Sequence, residues 1–528
     1  MLILTEEFDK IFNKINKNEN FALLRYGDGE RAIINNIRVK AQEGWEVNNN
    51  LKFSNSLYET LKLNNPKIIH AISCPCCDFA SSYFYQQQID NTNISLSNIF
   101  VNINHKRFKE YFEKIKKDAV VIANYRAKNK KIGNLNILKY YEISDDCNDF
   151  YNKHLNNLID EIINDFGTQK NLLYVISAGP LAEIIIHKLF ENNEENQYID
   201  FGSSIDFYFK DKIQLRPYMD NSSEYANKNC KMKIYNKKEL EISVVLNLYK
   251  RPHVLPLQIE SIKKQSIKPK EILIYQDGVF EGVQMCKEAK EIATNIEISK
   301  ENKGVWQRFK FAQKATSKYI CVFDDDTLPG CDFLANCLNE MHKQEGLYGA
   351  IGVVMKKPRD YPENIFRLGW ACPNEITALV DFVGHAWFFK KEWLQYLLNA
   401  PQEMQDLKVA GEDIAFSLML QKQNIQTFVP PHNKNNKKIW GANPELSIKY
   451  GIEKCGISMS DDNIKKFNKA INLAMDNGFT PLINNTDNFN KTLSIFNQSI
   501  KNRDSYLKRL ERVIRHYIKR KLGIKKYQ

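Results

Sequence analysis

No apolar run in the 528-residue sequence approaches the roughly 20 residues that span a bilayer. The first residues, MLILTEEFDKIF, carry acids where a secretory signal would carry basic residues. The expected location is therefore the cytoplasm. A zinc-type cysteine pattern is also missing. Eleven cysteines are scattered, and their one cluster, Cys74, Cys76 and Cys77 in SCPCCDF, has no second Cys or His pair at zinc spacing. Reduced, partly buried thiols are the expectation there. The body lacks net charge: residues 501–528 hold eleven Lys/Arg against Asp504 and Glu511, nine of the twelve net positive charges. A body so close to neutral argues against a nucleic-acid-binding surface. No internal repeat is visible.

What is present is a soluble globular composition, 43% hydrophobic and 26% charged, on a chain too long for one core. Residues 1 to about 235 alternate short apolar runs (FALLRYG, KIIHAIS, DAVVIAN, LLYVIS, YIDFG) with helical or loop stretches. The polar stretch 220–239 reads as a linker. A second alternation opens with EISVVLNLYKRP and continues through EILIYQDG to YICVFDDDTLPG at 319–330. This βαβ rhythm places ligands at the carboxyl ends of strands, where Asn247, Asp277 and Asp324 fall. The expected fold class is α/β, with two Rossmann-like nucleotide-binding α/β domains and a helical C-terminal extension. The boundaries are 1–235, 236–440, 441–500 for a helical accessory segment, and 501–528 for a basic amphipathic helix.

Three consecutive aspartates after a buried strand are costly to desolvate and repel one another, which points to a cation. In an extended segment Asp324 and Asp326 would point the same way and share one hard divalent ion. Mg²⁺ or Mn²⁺ held so keeps open positions for a diphosphate whose leaving charge must be neutralised. An acidic turn or helix cap is the plainer alternative. Downstream, VAGEDIAFSLMLQKQ places Glu412 and Asp413 at the start of a helix, where acids also favour the dipole. His432 in FVPPHNK is either a metal ligand or an exposed loop histidine. His385 and Trp387 in FVGHAWFFKKEWL either form a wall on which a sugar ring stacks or belong to an aromatic core.

In their order, these landmarks resemble the inverting branch of the GT-A glycosyltransferases, from residue 241 to about 435. ISVVLNLYKRP, with Asn247 and Arg251, looks like the family's first strand and nucleotide loop, QDG like its second nucleotide contact, and DDD like its metal-binding DxD. The resemblance implies that Asp277 contacts base or ribose, that Asp324 and Asp326 bind metal and diphosphate, and that Asp413 is the general base. Glu412 would then hydrogen-bond the acceptor, and His432 would stand where some relatives carry a third ligand.

Near the N-terminus FALLRYGDGE offers Asp28 and Glu30 at alternate positions, with Gly27 and Gly29 allowing a tight turn. RYGDGE, the strand and glycine turn in LLYVISAGPLAEIIIHKL, and YIDFGSSID together resemble the GT-D glycosyltransferases with their DxE motif, over residues 15–215. By that resemblance Asp28 and Glu30 hold metal and sugar nucleotide, and Gly179 and Asp200 line the site. The combined expectation is a bifunctional enzyme with Mn²⁺ or Mg²⁺ in each half. It would use nucleotide sugars, UDP-sugars foremost, to extend a bacterial capsule, lipooligosaccharide or glycoprotein glycan. The C-terminal segment SYLKRLERVIRHYIKRKLG would contact the inner face of the membrane peripherally, or else dock on its own domain. The rival expectations are a catalytic GT-A-like half with a binding or scaffolding N-terminal half, a metal-dependent nucleotidyl or phosphoryl transferase, and a sugar-nucleotide sensor.

Overall fold

The computed structural model describes residues 1–40, 46–209, 217–220, 222–369, 372–443, 449–450 and 461–501. The chain forms two compact units, Met1–Lys237 and Lys238–Gln528.

In the first unit, β-branched and aromatic runs form β1 (Phe21–Tyr26), β2 (Ile68–Ile72), β3 (Ile94–Leu96), β4 (Asp118–Asn124), β5 (Asn136–Ile143), β6 (Leu173–Ser177) and β7 (Gln197–Asp200). All residues of β2 and β7 are buried, as expected for a parallel sheet covered on both faces. Among the described residues these strands form a seven-stranded sheet in the order β3-β2-β1-β7-β6-β4-β5. Every pairing in it is parallel. The chain runs outward from β1 to β3, crosses to the far side, and returns through β6 to β7. The strand order thus reverses between β1 and β7, the kind of switch point at which open α/β sheets bind ligands.

The helices that position the site here are α1 (Leu4–Asn16), α2 (Asp28–Ile34), α3 (Pro75–Gln88) and α4 (Ala182–Asn192). Helix α1 buries Leu4, Phe8, Ile11, Phe12 and Ile15 in one stripe, with Glu6 and Glu7 in its first turn. Its start is tied to the end of the unit, because Leu2–Ile3 pairs antiparallel with Lys231–Met232.

The second unit contains β8 (Ile242–Leu248), β9 (Glu271–Gln276), β10 (Asn295–Ile298), β11 (Tyr319–Phe323), β12 (Gly346–Met355), β13 (Ile365–Gly369), β14 (Ala378–Leu379), β15 (Phe382–Lys390) and β16 (Gln426–Val429). Their order is β10-β9-β8-β11-β15-β12-β16-β14, with β13 also on β12. The first four are parallel, whereas β15 runs antiparallel to both β11 and β12. The α/β class holds, and this sheet is mixed. FVGHAWFFK is one of its strands.

Helices α5 (Leu255–Lys263), α6 (Gln307–Ala312), α7 (Phe333–Lys343) and α8 (Glu412–Gln421) flank the sheet, and α9 (Asp461–Asp476) and α10 (Thr486–Lys501) follow it. Buried Asp381 joins these last helices to the sheet by accepting the Met355 N–H at 2.7 Å and the Leu482 N–H at 2.6 Å. The helical extension expected over 441–500 is therefore present in α9 and α10. Of the basic helix expected over 501–528, all but Lys501 lies outside the described residues. Among the described residues no helix is long and apolar enough to cross a membrane.

Candidate active site

In the second unit, β8, β9 and β11 end in register and deliver Arg251, Asp277 and the three aspartates to one edge. The aspartates leave β11 in a turn closed by the Thr327 N–H on the Asp324 carbonyl at 3.1 Å, and not as an extended segment. The turn splays them. Asp324 pairs with Arg308 and Asp325 with Arg251. Asp326 lies 3.8 Å from the Arg251 guanidinium and 3.7 Å from His385 Nδ1. Asp324 and Asp326 nevertheless converge, because ligand atoms of Asp324, Asp326 and His385 all lie within 4.8 Å of one another.

A defect in β15 brings His385 to this group. Trp387 opposes Gly349 and Gly384 opposes Ile351, so His385 and Ala386 together face Ala350 alone, a bulge. His385 has φ +66°, a left-handed conformation that costs a non-glycine residue about 1 kcal/mol or more. The Asp324 N–H donates to its carbonyl at 2.9 Å and holds the bulge against the turn. Two carboxylates and an imidazole suit a divalent cation that accepts oxygen and nitrogen ligands.

Behind the aspartates, buried Arg308 of α6 bridges Asp324 and Glu412, the latter at 2.7 Å. Its guanidinium lies 4.6 Å over the Trp387 ring, and its Nε is buried without a partner. Nothing in QRFKFA singles this arginine out by sequence; only its placement between two acids does. Glu412 and Asp413 open α8 after Gly411, whose φ is +94°. Burial pushes Glu412 up to about 8, against the opposing pull of Arg308. Burial also pushes Asp413 up to about 6, with the Asp324 charge adding to the effect. A carboxyl poised near neutrality is suited to accepting a proton.

The remaining candidates are placed as follows. Asn247 is half-buried near the end of β8. Arg251 is buried on the aspartates and also donates through Nε to the Tyr450 carbonyl at 3.1 Å. The Asp277 carboxylate is turned onto the chain, accepting the Lys303 and Gly304 N–H groups at 2.8 and 3.0 Å, so it shapes the 302–304 loop. Trp387 is buried beneath Arg308 and edge-on to Phe309; it is core, and no open stacking wall. His432 is not brought to the aspartates. It is fully buried, with Nδ1 2.8 Å from the Pro430 carbonyl and Nε2 accepting the Gly441 N–H at 3.0 Å, which makes it a loop brace. The third group beside the aspartates is instead His385.

In the first unit Asp28 and Glu30 sit in the first turn of α2. Asp28 is exposed, and Glu30 folds back to accept the Gly27 N–H at 2.8 Å. Positions two apart in a helix face different ways, so the pair does not converge as it would in an extended segment. Asp200 closes β7, accepts the Gly202 N–H at 2.8 Å and lies 3.9 Å from Arg25. Burial pushes Glu30 up to about 7 and Asp200 up to about 6. Glu183 of α4 joins them: burial, then the charges of Glu30 and Asp200, hold its carboxyl well above the usual range. Its setting in an apolar run hid it from sequence reasoning. Gly179, with φ +53°, turns β6 toward α4 and lines a cleft with Ser177, Gly202, Arg126 and Asp145. Asp28, Glu30 and Asp200 lie outside that lining.

Residues 243–398 match the family described as Glycosyl transferase family 2. The second unit carries a glycosyltransferase domain. The matched segment contains Asn247, Arg251, Asp277, Arg308, Asp324, Asp326 and His385, and it ends before Glu412 and Asp413. No curated protein matches the chain.

Among solved structures, similarity extends to S. aureus TarS at 15% identity, covering 36% of each chain with a TM-score of 0.27. It extends also to the domain of unknown function 1792, described as having a distinct glycosyltransferase fold, at 14% identity. That match covers 44% of this chain and 91% of the other, with a TM-score of 0.31. A mannosyltransferase from Pyrobaculum calidifontis, in complex with GDP-Man and Mn²⁺, is 16% identical over 49% of this chain and 82% of that one, with a TM-score of 0.25. The chain thus spans about a third of the length of TarS.

Proposed function

We propose that the protein is a divalent-metal-dependent glycosyltransferase whose second unit moves a sugar from a nucleoside diphosphate, UDP foremost, to an acceptor hydroxyl with inversion. The observation that carries this reading is the convergence of Asp324, Asp326 and His385 within the family-matched segment. These residues would hold Mg²⁺ or Mn²⁺, which when bound neutralises the departing diphosphate. Asp413 takes the proton of the attacking hydroxyl as the new bond to the anomeric carbon forms and the bond to diphosphate breaks. Arg308 holds Glu412 and Asp324 in place, and Arg251 anchors the aspartate turn. Asp277 sets the loop that borders the nucleotide.

The first unit, on this proposal, carries out a second transfer, with Asp28, Glu30, Asp200 and Gly179 around its donor. The raised carboxyls of Glu30, Glu183 and Asp200 at the switch in strand order support it, since such clusters concentrate at functional sites. Two transferases on one chain pass product between them at high effective concentration. A bacterial capsule, lipooligosaccharide or glycoprotein glycan is the acceptor proposed, and the basic tail would hold the enzyme at the inner membrane face. The exposure of Asp28 and its position outside the cleft favour the second reading, in which the first unit only binds.

A donor screen decides between them. Release of UDP, GDP or CMP from sugar nucleotides with Mn²⁺ or Mg²⁺ is compared for wild type, Asp326→Asn and Asp28→Asn. Loss of a different donor's turnover in each variant supports two catalytic units. Loss in Asp326→Asn alone makes the first unit a binding module. Full activity in Asp326→Asn overturns the metal assignment.

A further inference from the structure

The cysteine cluster in the first unit is larger than its sequence spacing shows. Cys74 follows β2, and Cys76 and Cys77 lie in the first turn of α3. The fold adds Cys230, 153 residues beyond Cys77, with the two sulfurs 3.7 Å apart. Cys74 and Cys76 sulfurs are 3.3 Å apart, and all four lie within 4.8 Å of one another. Four thiolates on one tetrahedral zinc, with Zn–S of about 2.3 Å, stand roughly 3.8 Å apart. Every cysteine of the group is a free thiol.

The surroundings also fit a metal site. Asn98 Nδ2, just beyond β3, donates to Cys230 Sγ at 3.1 Å, the outer contact that orients a thiolate ligand. The Leu4 N–H donates to the Cys230 carbonyl at 2.9 Å, and the next two residues pair with Leu2–Ile3. The fourth cysteine is thus held by the Leu2–Ile3 segment and the start of α1, independently of the other three.

We infer that Cys74, Cys76, Cys77 and Cys230 form a closed, structural four-cysteine zinc site that fastens the end of the first unit to the β2–α3 junction. Four thiolates select zinc over the hard cations suited to the aspartate site, and a closed shell leaves no position for substrate. The site's role is to hold residues 229–232 and the N-terminus in place. It does not depend on the transferase reading.

The test is metal analysis of the full chain, purified reduced and without chelator. About one zinc per chain is expected. The zinc should persist in His385→Ala and fall to below about a tenth in Cys230→Ser. Because Cys230→Ser is open to misfolding, the wild type is tested separately by Co²⁺ exchange. Intense thiolate-to-cobalt absorption with tetrahedral ligand-field bands supports the site. A wild type with no zinc and no such bands, or with Cys74–Cys76 or Cys77–Cys230 disulfides in the peptide map of the native protein, overturns it.

Discussion

Asp413 and Arg308 are the residues whose environments make the sharpest demands. The proposed general base, Asp413, must be unprotonated to work, so with its carboxyl held at about 6, kcat/KM should rise with pH through that value. Below it the rate should fall about tenfold per pH unit. Asp413→Asn should lower kcat by about 10²- to 10⁴-fold while donor binding, followed by calorimetry, persists. Arg308 is a positioning residue. Replacing it with Met strands Glu412 and Asp324 without their shared cation, at a cost of about 3 kcal/mol in urea unfolding. It should also weaken transfer. A normal midpoint in Arg308→Met would show that the acids find another partner.

At the scale of elements, the second unit depends on joints between its sheet and its later helices. Asp381 is one: it accepts two backbone N–H groups, from Met355 and Leu482, and burial pushes it up to about 7. A carboxyl raised in the folded state binds its proton more tightly there than in the unfolded chain, where its pKa is about 4. Stability from this group is therefore present at about pH 4 and lost as pH rises to about 7. Glu412 extends the same trend to about 8. Urea midpoints of the metal-free protein should fall across that window. Asp381→Ala should lower the midpoint at pH 5 by about 2–4 kcal/mol equivalent, since two buried amides lose their acceptor. The β15 bulge is a joint of another kind, between the sheet and the aspartate turn, and it brings His385 to Asp324 and Asp326.

For the whole molecule, the donor and metal proposed for the second unit should stabilise that unit by mass action, about 2.7 kcal/mol at a hundred times Kd. Calorimetry with UDP and Mn²⁺ should show an upward shift that EDTA or Asp326→Asn removes. Retention of the shift in Asp326→Asn would place the nucleotide elsewhere.

Local sequence carried much of the fold. Runs such as DAVVIAN, LLYVIS and YICVF are buried strands in the structure, because a segment apolar on both faces has few other stable states. The half-exposed edge strand β5 and the glycine-rich β12 gave no such signal. Asp324 and Asp326 were legible as a candidate cation pair from their charge density, and the structure brings them together. Their manner of convergence was not, because a turn replaced the extended segment. His385 was legible as a candidate for an acceptor wall, but its place beside the aspartates, like the roles of Arg308 and Glu183, became visible only in three dimensions, since a bulge, a helix face and a buried apolar run each disguise it. His432 and Trp387 went the other way, from candidate ligand and stacking wall to core, because loop position and aromatic type do not fix exposure. The cysteines show the same division. Sequence determined three thiols in one short stretch, and the fourth came from a strand pairing between the unit's two ends, a long-range contact that no local pattern encodes.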